Sequence, residues 1–308
     1  MRTAAKSDVN EMGEMGMANA MNYATQFSQE LASKYARELF TAGLTTEGAV
    51  FCGAKTVKLP FLTLKGFKNH SRDGGFNRQD VQNGSETFTL AHDRDVEFFV
   101  DAMDVDETNH AASAANITNT FESEFAIPET DAYRFSKLYT DFEALGGEAD
   151  ETVLTAENVM DVFDEYLQAM TEKEVPLDGR ILYVTPSVCK LLKQASNVQH
   201  SIQVDNATGK VDRNIYMLDG VQIIEAAPGR MKTAYDFSDG FVPAAGAKQI
   251  DMMLVHPKSV LAVNKHSYIK LWPEGSHTQG DGWLYQNRQY SDIFLIASRK
   301  DGLMMHVA

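Results

Sequence analysis

Ala49-Val-Phe-Cys-Gly-Ala-Lys-Thr-Val-Lys-Leu-Pro-Phe-Leu-Thr-Leu64 and Thr87-Phe-Thr-Leu-Ala-His-Asp-Arg-Asp-Val-Glu-Phe-Phe-Val100 share one texture. In the first, Val57, Leu59, Phe61 and Leu64 stand among Lys and Thr at short period, and the second repeats the pattern, so two strands are predicted. Between them, Lys65 to Ser85 holds Gly66, Gly74, Gly75 and Gly84, a connection far longer than a tight hairpin turn. It carries Lys65, Lys68, His70, Arg72 and Arg78 against only Asp73 and Asp80. A basic tip on an extended hairpin suits an acidic partner surface.

Upstream, the chain is polar and Met-rich as far as a segment from Ser28 to Phe40, where Leu31, Tyr35 and Leu39 recur every four residues. That spacing puts one narrow apolar stripe on a short helix. The stripe lies either on the chain's own domain or, as an arm, on a neighbouring subunit.

Downstream, Asp104, Asp106 and Glu107 precede an Ala-rich stretch, His110 to Ile127, in which Ile117, Phe121 and Phe125 share a helix face. Carboxylates there suit the positive end of a helix dipole better than a metal, because no second set of oxygen ligands follows at fixed spacing. Pro128 is predicted to interrupt this helix, with Glu129 to Leu138 resuming it. Gly146 and Gly147 mark a boundary. Beyond it Thr155 caps a strongly periodic helix carrying Val159, Val162, Phe163, Tyr166, Leu167 and Met170, whose opposite face, Asp161, Asp164 and Glu165, reads as solvated. Ile181 to Val184 is a predicted strand, Thr185-Pro186 opens a helix with Cys189, Leu191 and Leu192, and a polar connection runs from Ser196 to Asp212. Val221 to Glu225, Ile250 to Val255 and Val260 to Val263 are further strands, which makes the middle of the chain an α/β unit. Ile293 to Ser298 and Leu303 to Val307 are predicted to close a terminal β-hairpin around Arg299-Lys300-Asp301-Gly302.

The chain has 308 residues, 44% of them hydrophobic and 23% charged, enough for one large or two ordinary domains and unlike a disordered polymer. A formal net charge of -15 argues against phosphate-backbone binding, which relies on Lys and Arg. No run of 18 apolar residues is present, so no membrane span is predicted. Cys52 and Cys189 stand far apart without ligand spacing and read as two reduced, packed thiols. His256, His266 and His277 are scattered and read as surface or satisfied histidines. GxxxxGK[ST], GxGxxG after a strand, HExxH and GxSxG are all missing, so no catalytic, cofactor-binding or metal-ligating residue is assigned.

Four strings carry a family likeness: Gly53-Ala-Lys-Thr-Val-Lys-Leu-Pro60, Asp93-Arg-Asp-Val-Glu-Phe-Phe-Val-Asp101, Met103-Asp-Val-Asp-Glu107 and Pro128-Glu-Thr-Asp-Ala-Tyr-Arg-Phe-Ser-Lys137. From about Phe27 to the C-terminus the sequence resembles the major capsid proteins of tailed bacteriophages, the Hong Kong 97-type fold, of the kind found in phages and prophages of Gram-positive bacteria. The resemblance implies an α+β fold in parts. Residues 1–48 become an N-terminal arm and 49–96 an extended hairpin loop; 97–145 with 271–308 form a peripheral domain whose long spine helix begins near Glu107, and 146–270 an axial α/β domain. The final hairpin closes the peripheral sheet.

It also implies a structural role without enzymatic activity or cofactor. Subunits form hexamers and pentamers of an icosahedral shell around double-stranded DNA, in a virion assembled in the host bacterial cytoplasm. A separate scaffolding protein and a portal are the expected partners, with DNA packaged without sequence-specific binding, no membrane and an uncleaved N-terminus. Leu31, Tyr35, Leu39, Lys65, Lys68, Arg72 and Arg78 are the expected inter-subunit contacts. Certain relatives weld a loop Lys to an Asn of another subunit; Lys65, Lys68 and Asn287 supply the types, but types alone are common and no weld is expected. An encapsulin-like cellular compartment, and more remotely a cytosolic α/β enzyme, are the alternative readings.

Overall fold

The computed structural model describes residues 39–44, 50–53, 55–67, 69, 81–101, 114–195, 203–204, 211–212 and 215–308. A 3-10 turn, Phe40–Leu44, comes first, then strands β1 (Val50–Phe51), β2 (Thr56–Thr63) and β3 (Gln82–Thr89), joined antiparallel in that order. Thr56 pairs with Thr89 and Thr63 with Gln82, so the predicted hairpin is present. Its second strand ends sooner than the sequence suggests: the run from Thr87 to Val100 is two strands, β3 and β4 (Asp93–Asp101), in different sheets. The break falls at residues 90–92, where Leu90 N–H turns back to the Lys55 carbonyl and Ala91 N–H donates to Asp292 Oδ2 at 2.8 Å. A side chain 201 residues away takes the amide that a continuous strand would have used.

The long helix also departs from expectation. Residues 114–144 run without a break as α1 (Ala114–Phe121), a π-helical turn (Glu122–Ala126) and α2 (Ile127–Ala144). Pro128 does not interrupt it. In an α-helix its ring would press on the carbonyl four residues back. Here the preceding turn is widened, Ile127 N–H reaching five residues back to the Glu122 carbonyl, and Pro128 sits in the first turn after it, where its missing N–H costs least. The acidic cluster at Asp104, Asp106 and Glu107, with the expected helix start, lies outside the described residues. At the other end Gly146, at φ 77°, closes a Schellman motif: its N–H donates to the Glu143 carbonyl and that of Gly147 to the Phe142 carbonyl. The predicted boundary is where the helix stops.

Next come α3 (Val159–Glu172), β5 (Ile181–Val184) and α4 (Pro186–Gln194), as their periodicity predicts. Thr155 and Asn158 cap α3 reciprocally: Asn158 N–H donates to Thr155 Oγ1 at 3.3 Å and Thr155 N–H to Asn158 Oδ1 at 2.7 Å. Inside the predicted polar connection sits a short ribbon, β6 (Gln203–Val204) with β7 (Val211–Asp212). The chain continues through β8 (Met217–Leu218), β9 (Val221–Glu225), a 3-10 turn Pro228–Arg230, the ribbon of β10 (Tyr235–Asp236) and β11 (Val242–Pro243), and β12 (Ile250–Val255). Strand β13 (Val260–Trp272) extends well past the predicted Val263 and pairs with β14 (Gly282–Leu295). Last is β15 (Leu303–Val307).

Two sheets organise these elements. The larger has the order β15-β12-β5-β9-β8, with β5 and β9 parallel and the other pairs antiparallel. Both its faces are covered, so β5 is buried at every position and its side chains alternate between two cores. Ile181 and Tyr183 join Phe135, Leu138 and Phe142 of α2; Leu182 and Val184 join Val159, Phe163 and Met170 of α3 and Val188 and Leu192 of α4. The smaller sheet, β13-β14-β4, carries α1 on one face, with Ile117 and Phe121 against Val100, Leu271 and Tyr285.

The predicted terminal hairpin is absent. Strand β14 pairs with β13 and β4, whereas β15 crosses to the larger sheet and pairs with β12, Met305 opposite Met253. The intervening residues form a kinked 3-10 segment, Ala297–Gly302, and not a two-strand turn. Both strands carried the right pattern; periodicity names a strand but not its neighbour. The thiols also part company: Cys189 is buried, while Cys52 is exposed at the hairpin root and not packed as expected.

Candidate assembly interface

The β2 strand of the hairpin is apolar along one face, Val57, Leu59 and Phe61, and outgrows the core that supports it. At its root Val57, Phe88 and Leu90 pack with Leu261, Val263, Tyr290, Phe294 and Ile296. Two residues on, Leu59 is only partly buried, and two further Phe61 is 45% exposed. Beyond the strand Leu64 is 67% exposed and Phe67 fully so, with Val81 at 61% across the hairpin. Covering a side chain of this size is worth roughly 1.5–3 kcal/mol, so four of them left in water favour association. Phe61 lies across Gly84, its strand partner; a Cβ there would stand 2.5 Å from the Phe61 ring, so the missing side chain is what lets the ring lie flat.

The root is tied firmly. Lys265 donates to the Gly53 carbonyl at 2.6 Å and its ammonium sits over the Phe51 ring, Tyr290 Oη donates to the Leu90 carbonyl at 3.2 Å, and Ala297 N–H to Glu86 Oε1 at 3.2 Å. Rigid base and unsupported apolar tip belong to one element.

Of the seven residues expected at inter-subunit contacts, Leu31, Tyr35, Lys68, Arg72 and Arg78 lie outside the described residues. Lys65 is exposed beside the apolar tip. Leu39 is buried within its own chain, just ahead of the Phe40–Leu44 turn, so at that position the stripe packs at home. Sequence reasoning read Phe61 and Leu64 as ordinary strand residues and passed over Phe67. The overlooked signal was an aromatic between Lys65 and Lys68 in a Gly/Asn-rich connection.

A groove of about 800 Å³ lies between the helix and the smaller sheet, lined by Arg94, Phe98, Phe121, Phe125, Glu129 and Asn287. Asn287 belongs to a buried polar triad: Tyr285 Oη and Asn287 Nδ2 both donate to Glu122 Oε1, at 2.5 and 2.6 Å, pinning the π-helical turn to β14. Asn287, named above for its residue type, is thus an interior residue at 5% exposure.

At the groove's end the His92 ring stacks on Tyr133 with centroids 3.8 Å apart, and Tyr133 Oη donates to Asp292 Oδ1 at 2.8 Å. Burial first, then the positive charges of Arg94 and Arg134, push the His92 pKa down to about 4, with Asp93 opposing. An unfolded histidine titrates near 6.5, so the unfolded chain takes up this proton first and stability falls as pH drops from 6.5 to 4. The loss is at most about 3 kcal/mol. His92→Phe, which keeps a stacking ring, is expected to flatten the urea-midpoint profile over that window; an unchanged slope would show that His92 does not contribute it.

Asp161, Asp164 and Glu165 are exposed on α3, as the solvated-face reading expects. His256 is buried and satisfied, Nδ1 accepting from Lys258 N–H at 3.1 Å and Nε2 within 3.2 Å of the Asp178 carbonyl. Among the described residues no group of three or more His, Cys, Asp or Glu could hold a metal ion, and no helix is long and apolar enough to cross a membrane.

No protein-family model matches the chain, and no curated protein matches it. Solved structures do. The mature capsid of bacteriophage PhiM1 superposes with a TM-score of 0.58 at 16% identity, over 82% of this chain and 82% of that one. A structure from Mycobacterium phage Che8 gives 0.55 at 14% identity over 82% and 85%, and the capsid of cyanophage P-SCSP1u gives 0.54 at 11% over 86% of each chain. At such identities the likeness is one of fold, and this chain has the Hong Kong 97-type capsid fold that its sequence resemblance implied.

Proposed function

We propose that the chain is a major capsid protein, a structural subunit and not an enzyme. It assembles as hexamers and pentamers into an icosahedral shell enclosing double-stranded phage DNA, and so becomes part of the virion after assembly in the host cytoplasm. The observation that carries this reading is the hairpin whose apolar side chains run from Val57, fully buried, through half-exposed Phe61 to Leu64 and Phe67 in water just past the strand. Such a face is completed by a neighbour. One standard interface buries roughly 1,200–2,000 Å², and several weak ones engaged together hold a subunit by avidity while letting misplaced ones leave.

The parts follow: arm 1–48, extended loop 49–96, peripheral domain 97–145 with 271–308, and axial domain 146–270. The pairing of β15 with β12 amends this scheme, because the final strand completes the larger sheet. A separate scaffolding protein and a portal are the expected partners. An acidic wall fits DNA that is packaged and not bound: with carboxylates lining the interior, the genome meets like charge, screened beyond about 8 Å.

Electron microscopy of the expressed protein tests the reading. Shells or capsomer rings are expected. A uniform monomer, with the hairpin folded onto its own body, would end it.

A further inference from the structure

The groove between the helix and the smaller sheet contains two polar atoms that the described residues leave unanswered. Asn287 is 5% exposed, and its Nδ2 donates to Glu122 Oε1 and to Tyr285 Oη, which fixes the amide so that its Oδ1 turns away from them. That oxygen is buried in the groove wall without a hydrogen-bond partner. Two residues along the same face of β14, Gln289 Nε2 is buried without a partner as well. One wall therefore offers an acceptor and a donor at neighbouring positions, the complement of a single carboxamide, whose NH2 donates and whose oxygen accepts. Beside them runs a ladder of rings: Phe98 meets Phe121 edge-on with centroids 5.2 Å apart, and Phe121 stacks on Phe125 at 6.0 Å. Phe125, at the end of the ladder, is 49% exposed. A carboxamide flanked by flexible apolar side chains fits this wall, and thioethers suit aromatic rings.

The chain itself carries such a guest. Residues 15–21 read Met-Gly-Met-Ala-Asn-Ala-Met, uncharged, with one carboxamide, Asn19, between Met17 and Met21. In an extended run Met15, Met17, Asn19 and Met21 share a face, while Gly16, Ala18 and Ala20 add little bulk on the other, which makes the run slim enough for a groove. The described residues begin beside the groove. Thr41 is fastened to α2 through Asp131, whose Oδ1 accepts from the Thr41 N–H at 3.1 Å and from its hydroxyl at 2.8 Å, and Asp131 directly follows the groove-lining Glu129 and Thr130. Extended, the chain from Leu39 back to Met21 reaches up to roughly 60 Å, more than the groove demands. The tether also holds the run at an effective concentration of order millimolar, against which a free partner has to compete. We propose that the groove is the docking site of residues 15–21 of the same chain, with the Asn19 carboxamide donating to Asn287 Oδ1 and accepting from Gln289 Nε2, and the methionines lying on Phe98, Phe121 and Phe125. Only the stretch 22–38, with Leu31 and Tyr35, is then left to reach a neighbour.

Photo-crosslinking tests this on the full chain as expressed. With p-benzoylphenylalanine in place of Phe125, irradiation is expected to join position 125 to residues 15–21, identified by mass spectrometry, in a band of single-chain mass on a denaturing gel. The same group in place of Asp239, an exposed residue of the groove lining, is an independent probe should the first replacement not fold. Asn19→Asp keeps the shape but removes the donor and sets a carboxylate against Asn287 Oδ1, and is expected to lower the crosslink yield at least about tenfold. Asn22→Asp, just beyond the docked run, is expected to leave the yield unchanged. The docking would be overturned by a double-mass band joining the groove to another copy, whether through its residues 15–21 or its hairpin, by no crosslink beyond the groove's own walls, or by a yield that Asn19→Asp does not lower. Electron microscopy of the same samples keeps the two readings apart: single-chain crosslinks without shells uphold the docking and end the capsid reading, and shells without such crosslinks do the reverse.

Discussion

Phe61→Asp is expected to leave the subunit folded and to abolish shell assembly. In the isolated chain Phe61 is nearly half exposed and packs only over Gly84, so an aspartate there meets water and disturbs little. In the proposed shell the same position is covered by a neighbour, and an unpaired carboxylate costs several kcal/mol to desolvate. A loss of about 3 kcal/mol at one contact weakens it more than a hundredfold, and the loss recurs at every subunit. Circular dichroism is expected to match the wild type while electron microscopy shows no shells. Charge reversal of Lys68, Arg72 and Arg78 to Glu is expected to give the same pair of results from the basic side of the loop. Normal shells from both variants would remove the hairpin from the assembly argument.

Phe135→Ala is expected to have the largest effect on stability. Phe135 is fully buried where α2 meets the larger sheet, edge-on to Tyr183 with ring centroids 5.2 Å apart. Truncating a buried Phe typically costs about 3–5 kcal/mol, part lost transfer energy and part cavity. Here the neighbours are poorly placed to collapse, because Tyr183 belongs to a strand whose next residues are packed into the opposite core. The urea midpoint is expected to fall by an amount equivalent to that cost. Leu177→Ala, at an exposed site, serves as control and is expected to change stability by less than about 0.5 kcal/mol. Equal midpoints for the two variants would contradict the assigned core.

Local order was legible wherever one period ran uninterrupted. Helix α3 shows its buried stripe at Val159, Val162, Phe163, Tyr166 and Met170, and β5 reads as a strand because all four of its residues are apolar. Partners were not legible. Strands β14 and β15 each carry the right pattern, yet what sends β15 to β12 is long-range packing that no short window contains. The split between β3 and β4 depends on Asp292, and the seat of residues 39–44 on Asp131, carboxylates about 200 and 90 residues from the backbone they hold. For the proposed assembly surface, residue types suggested a basic tip, whose Lys68, Arg72 and Arg78 lie outside the described residues, but not how far the apolar side chains outrun their core. That distance is set by where the rest of the chain stops.

The extra residue in the π-helical turn shifts the angular phase of everything after it by about 100°. Ile117 and Phe121 ahead of it can therefore face the smaller sheet while Phe135, Leu138 and Phe142 behind it face the larger one. An uninterrupted α-helix through the same residues would bring the two stripes into line and leave one sheet uncovered. One widened turn is thus what allows a single unbroken rod to roof two differently oriented walls.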